Sequence, residues 1–261
     1  MQFFSYLING ISLGSVYALI ALGYTMVYGI AKMLNFAHGD VIMIGSYVVY
    51  FAFGASGLNP VLSIVLSMIV CTILGVVIER LAYRPLREAP SLAVLITAIG
   101  VSYLLQQVAQ LSWSSNPKSF TSVVSGMKPV SLFGGQLTIS AETIVTIVAC
   151  VVIMVVLMWF VNYTPAGHAM LAVSEDRGAA QLMGVNVNGT ISLTFAIGSA
   201  LAAIAGALLC SSYPTLQPTT GAMPGIKAFV AAVFGGIGSI PGAFVGGILL
   251  GIIENLSKAY L

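Results

Sequence analysis

Apolar residues run through this chain in long blocks rather than in an alternating pattern. Between short polar breaks lie Tyr6 to Val27, Val41 to Phe53, Val61 to Ile78, Ala93 to Leu111, Thr143 to Val161, Thr190 to Leu209, Gly225 to Ser239 and Gly242 to Leu256. Roughly 20 apolar residues cross a bilayer as a helix, so most of these blocks are predicted to be transmembrane helices. A β-barrel would need short segments that alternate apolar and polar positions, and these blocks do not. The expected fold is all-α, a polytopic integral membrane protein of about eight segments in which each span satisfies its own backbone. It forms one domain over residues 1–261.

The breaks carry start and stop signals. Asn59-Pro60 reads as N-cap and first residue of the third helix, because the first turn has no use for the N–H that Pro lacks. Ser140 is placed to cap the fifth, with Glu142 in its first turn, where a negative charge suits the helix dipole. Ahead of the second block, Lys32 to Asp40 brings Asn35, His38 and Asp40 to a membrane boundary. Capping by Asp40 or Asn35 is the simpler reading, and a proton relay on His38 and Asp40 the sharper one. The two tail blocks have about 15 residues each, ~22 Å of helix against ~30 Å of hydrocarbon. They form either a broken, re-entrant pair lining a cavity or two tilted short helices separated at Ile240-Pro241.

Composition supports a membrane protein and removes other classes. Hydrophobic residues make up 59% and charged residues 6%, against about 25% charged in a soluble domain; mean hydropathy is +1.04. A net charge of +2 leaves no footprint for nucleic acid. Cys71, Cys150 and Cys210 sit inside apolar runs without metal-ligand spacing, as small buried hydrophobes do. The first apolar run has no basic region before it, so no cleaved signal peptide is expected.

Arg80, Arg84 and Arg87 form the densest basic cluster, which places their loop in the cytoplasm. By alternation the N-terminus, the loop Ser114 to Ser140 with Lys118 and Lys128, and the loop Tyr213 to Pro224 lie outside. Trp113 is expected as an interfacial anchor, and Gln106, Gln107 and Gln110 mark an interface or a watery cavity. Gly10, Gly14 and Ala18 make a small-residue stripe that admits a neighbouring helix closely. Asn9 to Leu13 echoes Asn188 to Leu193, a trace of an internal repeat. Candidates to line a translocation path are Asn9 and Tyr17 in the first span, Asn35 and His38 before the second, and Gly235 and Gly238 at the break in the tail.

No Walker A sequence, HExxH or GxSxG is present, so the chain is not expected to be an enzyme or to bind a metal or cofactor of its own. Energy for transport would then come from a partner. Thr164 to Asn188 is the polar stretch that can receive one. Within it, Glu175, Asp176 and Arg177 supply charges for orientation, Ala179 and Ala180 a small face to seat in a groove, and Gly184 a stop.

Asn9 through Gly23, Leu34 through Asp40, Glu79-Arg80, Gly167 through Gly184 and Phe234 through Gly242 together resemble the LivH-type inner-membrane permeases of branched-chain amino-acid ABC importers, over essentially the whole chain. The resemblance implies the permease fold of such importers, a homologous second permease, two ATPase subunits that carry ATP and Mg, a periplasmic or extracellular amino-acid-binding protein, and a bacterial cytoplasmic membrane. It also implies alternating access by ATP-driven closure of the ATPases. Importer permeases commonly dock their ATPases on a Glu-Ala-Ala-x-x-x-Gly loop. Here Ala179-Ala180-Gln-Leu-Met-Gly184 keeps the later part, Gly178 stands in the Glu position and Glu175 lies three residues earlier. No charged cluster is apparent along the path, which suits a solute that must be released quickly. Urea or another amino acid is the alternative cargo, and a self-contained channel for small neutral solutes the alternative class.

Overall fold

The computed structural model describes residues 2–124, 129–132 and 137–260; Lys128 of the expected outside loop lies outside them. Among the described residues, ten α-helices carry the architecture: α1 Gln2–Ala31, α2 His38–Val49, α3 Pro60–Ile78, α4 Ser91–Trp113, α5 Ala141–Tyr163, α6 Pro165–Glu175, α7 Arg177–Leu182, α8 Val187–Ser212, α9 Ala222–Phe234 and α10 Ile240–Tyr260. Short strands add to them: β1 Lys118–Ser119 pairs with β4 Thr215–Leu216, and β2 Val130–Leu132 with β3 Leu137–Ile139, both antiparallel. Among the described residues, six helices are long and apolar enough to span a bilayer, beginning at Phe3, Pro60, Ser91, Ala141, Val187 and Ile240. With the shorter α2 and α9, each of the eight predicted blocks contains a helix.

Local signals act as expected at two starts. The Asn59 side chain accepts from the Val61 N–H at 2.9 Å with Pro60 at the first position, and Ser140 Oγ accepts from the Thr143 N–H at 3.3 Å. The expected cap of the second helix fails. α2 opens at Ala37 without a side-chain cap; Asn35 is engaged by the Tyr83 hydroxyl instead, and Asp40 sits within the first turn and accepts from Gln106 Nε2 at 2.8 Å. Trp113, half-buried at the end of α4, stacks on Tyr47, ring centroids 4.4 Å apart.

The tail also differs from its predicted form. The break falls at Gly235 to Ser239, and Ile240-Pro241 opens α10 instead of separating two helices. Pro241 sits in the first turn, where its missing N–H costs no bond. The last helix then runs 21 residues to Tyr260, through polar residues that sequence reading took as its end, so of the two tail helices α9, at 13 residues, is the short one.

α1 is the central post, almost wholly buried from Leu13 to Ala31. Its small residues meet glycines of α10: a side chain at Gly14 would lie 2.7 Å from the Ile248 backbone, and one at Gly251 would strike Gly14. Such seams bring two helices to backbone contact, the source of attraction available where lipid is as apolar as the side chains.

Packing follows an inverted repeat. Exchanging α1 with α8, α2 with α9 and α3 with α10 maps α1 against α10 onto α8 against α3, α2 against α8 onto α9 against α1, and α2 against α3 onto α9 against α10. α1 and α8 cross at Gly23 and Gly198. Arg177 bonds the Ala31 carbonyl and Arg87 bonds Asn188, so α1 ends and α8 begins at the same end of the molecule, here the arginine end. The two halves therefore run in opposite senses, as the Asn9 and Asn188 echo hinted.

α2 and α9 are half-helices that begin inside the protein. His38 lies against Gly23, eight residues or ~12 Å of helix in from Ala31. The two N-termini meet there, where a side chain on Gly39 would come within 2.6 Å of the Gly221 carbonyl oxygen. Discontinuous helices whose N-termini meet near the middle of a repeat are the arrangement from which transporter sites are built.

Candidate docking surface and translocation path

At the arginine end the polar stretch folds into two short helices rather than one. Thr164 caps α6 by accepting from the Gly167 N–H at 3.0 Å, with Pro165 at the first position. Gly167 is required at this turn because a side chain would run into the Phe160 and Val161 carbonyls. Asp176 breaks the helix and caps α7, accepting from the Gly178 and Ala179 N–H groups at 2.7 and 3.0 Å. Gly184, at φ +85°, stops α7 in the left-handed region that glycine adopts without strain.

Each predicted docking residue now has a place. Asp176 shapes the helix, and Arg177 ties it to α1 through the Ala31 carbonyl. Burial, and the Arg87 guanidinium close by, pull the Arg177 pKa below its ordinary value. Glu175 and Arg177 line a cavity of about 500 Å³ with Lys32, Arg87 and Ser91. Ala179 faces solvent, but Ala180 turns into the protein itself, so the two alanines do not share one seat. What projects instead is Leu182 and Met183, 90% and 84% exposed beside Gly184. Sequence reasoning missed them, since an isolated Leu-Met pair in a polar stretch looks the same whether it packs inward or outward.

A second network supports this surface from behind. Glu79, fully buried, pairs with Arg87 and accepts from Ser192 Oγ at 2.6 Å, while Arg87 also reaches Asn188. The arginine loop is thereby bolted to the start of α8, directly after the α7 stretch.

The path candidates divide into three groups. Asn35 and His38 are sealed in the protein, at 5% and 1% exposure, Asn35 on Tyr83 and His38 between Gly23 and Tyr24. Gly235 and Gly238 form the turn from α9 to α10 at the arginine end, Gly235 against Gly242 and Gly238 against Gly29. Asn9 and Tyr17 reach cavities at the opposite end. Asn9 lines one of about 490 Å³ with Ser12, Glu142, Tyr213 and Asn255. Tyr17 lines a smaller one of about 220 Å³ between α1, α9 and α10.

Beside that smaller cavity stands a charged cluster that the sequence did not announce. Glu254 Oε1 accepts from Lys227 Nζ at 2.7 Å and from Lys258 Nζ at 2.6 Å, and Oε2 accepts from the Tyr17 hydroxyl at 2.9 Å. The residues come from three helices and are separated by up to 241 positions, so no sequence window contains them. A signal was nevertheless present: Lys227 and Glu254 are isolated charges within the apolar tail blocks, and intramembrane ionisable residues are functional candidates by default.

Half-helices inside an inverted repeat, with cavities at both ends, make the architecture of a membrane transporter. The chain belongs to the branched-chain amino acid transport system permease component family, whose model matches residues 6–261. It is 44% identical to the high-affinity branched-chain amino acid transport system permease protein LivH of Salmonella typhimurium, over 100% of this chain and 88% of that one. It is 46% identical to BraD of Pseudomonas aeruginosa, over 95% of this chain and 84% of that one. A probable LivH of Methanocaldococcus jannaschii is 32% identical over 93% of this chain and 77% of its own.

Proposed function

We propose that this chain is one transmembrane subunit of an ATP-binding-cassette importer that moves leucine, isoleucine and valine inward across the cytoplasmic membrane. The observation that carries this reading is the full-length match to permeases of high-affinity branched-chain amino acid transport systems. The arginine end faces the cytoplasm, following the excess of Arg in its short loop. A homologous second permease completes the pore, two ATPase subunits dock on the arginine end, and a soluble binding protein delivers the amino acid to the opposite end.

α7 is the coupling element. Leu182 and Met183 present an apolar knob that fits a groove on an ATPase, and the Asp176 cap and the Arg177 tether to Ala31 hold that knob rigidly against α1. Movement of the ATPases is passed through α6 and α7 to the central post. The inverted repeat supplies the alternating access, since two halves of opposite sense can rock about the Gly39 and Gly221 crossing.

A gentle-detergent pull-down of the tagged chain from its native membrane tests the assembly. Two ATPases and a second permease should co-purify, with ATP turnover raised by a leucine-loaded binding protein. Recovery of the chain alone, or as a homo-oligomer without ATPase activity, would contradict the reading.

A further inference from the structure

The proposed function leaves open how an amino acid, charged at both ends of its backbone, crosses the apolar interior of the permease. The cavity between α1, α9 and α10 has features that fit this task. One wall is apolar, made by Leu13, Leu209, Met223 and Pro224. The other carries Lys227, Glu254 and Lys258 with the Tyr17 hydroxyl. Two ammonium groups converge on one carboxylate oxygen, so the cluster holds one positive charge more than it neutralises. At about 220 Å³ the space is below the ~300–1,000 Å³ of pockets for drug-sized ligands and in the range of a single small solute.

We propose that this cavity is a transient site for the amino acid on its way through, with the substrate α-carboxylate seated between Lys227 and Lys258, its ammonium on Glu254, and its aliphatic side chain on the Leu13, Leu209 and Met223 wall. This rests on the amino-acid cargo of the preceding section. The binding is an exchange of partners. In the empty state Glu254 bonds both lysines, so each ammonium already has a counter-charge. An arriving zwitterion supplies one charge of each sign, takes over part of each bond and leaves the net charge unchanged. Lys258 is 65% exposed at the side chain and Lys227 34%, which orders them from the mouth inward. A site of this kind holds the head group without a deep well, because every bond gained replaces one that existed.

The test is uptake of radiolabelled leucine by the complete importer in proteoliposomes, with the wild-type assembly in parallel so that a wrong cargo shows as no leucine uptake by wild type. The double variant Lys227→Met with Glu254→Gln removes both inner charges together; Lys258 loses its carboxylate partner but, 65% exposed, keeps its water. Each lost charge-assisted bond corresponds to about a tenfold effect, so its uptake should fall at least about tenfold while binding-protein-stimulated ATP turnover persists. Lys258→Met, at an exposed position, should lower uptake several-fold in the same way. A purely structural ion pair predicts the opposite, recovery in the neutral double variant. Wild-type uptake in the double variant and in Lys258→Met overturns the site. Should the double variant fail to assemble, Lys258→Met decides alone by the same criterion.

Discussion

Glu79 and Glu254 stand on corresponding helix pairs of the two inverted halves and do opposite things. Glu79 follows α3 and accepts from Ser192 of α8; Glu254 lies on α10 and accepts from Tyr17 of α1, the same helix pairing with the halves exchanged. Each has basic partners. Yet Glu79 is sealed at the arginine end with its bonds fully committed, whereas Glu254 borders a cavity at the far end beside two partly exposed lysines. An inverted repeat thus places corresponding helix pairs at opposite ends of the molecule. One carboxylate is free to become a fastener and the other a contact for cargo, because the loops and partners at each face differ.

The contrast can be broken by substitution. Glu79→Ala should have the largest effect, because it strands Arg87 in a buried site and leaves Ser192 without its acceptor. Removing one partner of a buried pair costs about 3–5 kcal/mol, so the variant should lose most of its monodisperse peak in size-exclusion chromatography. Glu254→Ala should cost ~1 kcal/mol, since its lysines regain water, and differ from wild type by a few degrees in Tm while leucine uptake fails. The pair sharpens the comparison if the two Tm losses differ clearly, and equal losses would erase it.

Smaller effects on stability separate docking from folding. Leu182→Asp combined with Met183→Asp places charges on a fully exposed knob, so stability should stay within about 0.5 kcal/mol of wild type. Co-purification of the ATPases should drop sharply, and normal recovery would remove α7 from the docking surface. Asp40→Asn should be the mildest change. The amide still offers an oxygen to Gln106, so Tm and uptake per assembled complex should both remain near wild type. A loss of uptake at unchanged stability would instead give the half-helix junction a role in proton or substrate handling.

The sequence displayed the fold more fully than the site. Eight apolar blocks, the Asn59 and Ser140 caps and the glycine stripe of α1 are local features, fixed by hydropathy and by backbone chemistry within a few residues. The position of the tail break was not, since Pro241 reads as a separator unless the helix beyond it is known to begin there. α2 misled for a related reason: Asn35 and Asp40 have the chemistry of caps, but Tyr83 and Gln106 from distant helices claim them. Which of Ala179, Ala180, Leu182 and Met183 faces outward depends on how α7 lies on its neighbours. The Glu254 cluster needs three helices to exist at all, and each of its charges looks solitary in the chain.

The central claim is that this chain imports only as part of an ATP-driven assembly. Leucine uptake into proteoliposomes tests it most directly, comparing the chain alone, the assembly without ATP and the assembly with ATP and loaded binding protein. Accumulation in the last case only is the predicted result. Nucleotide-independent equilibration of leucine, or of another small neutral solute, by the chain alone would contradict it and establish a channel.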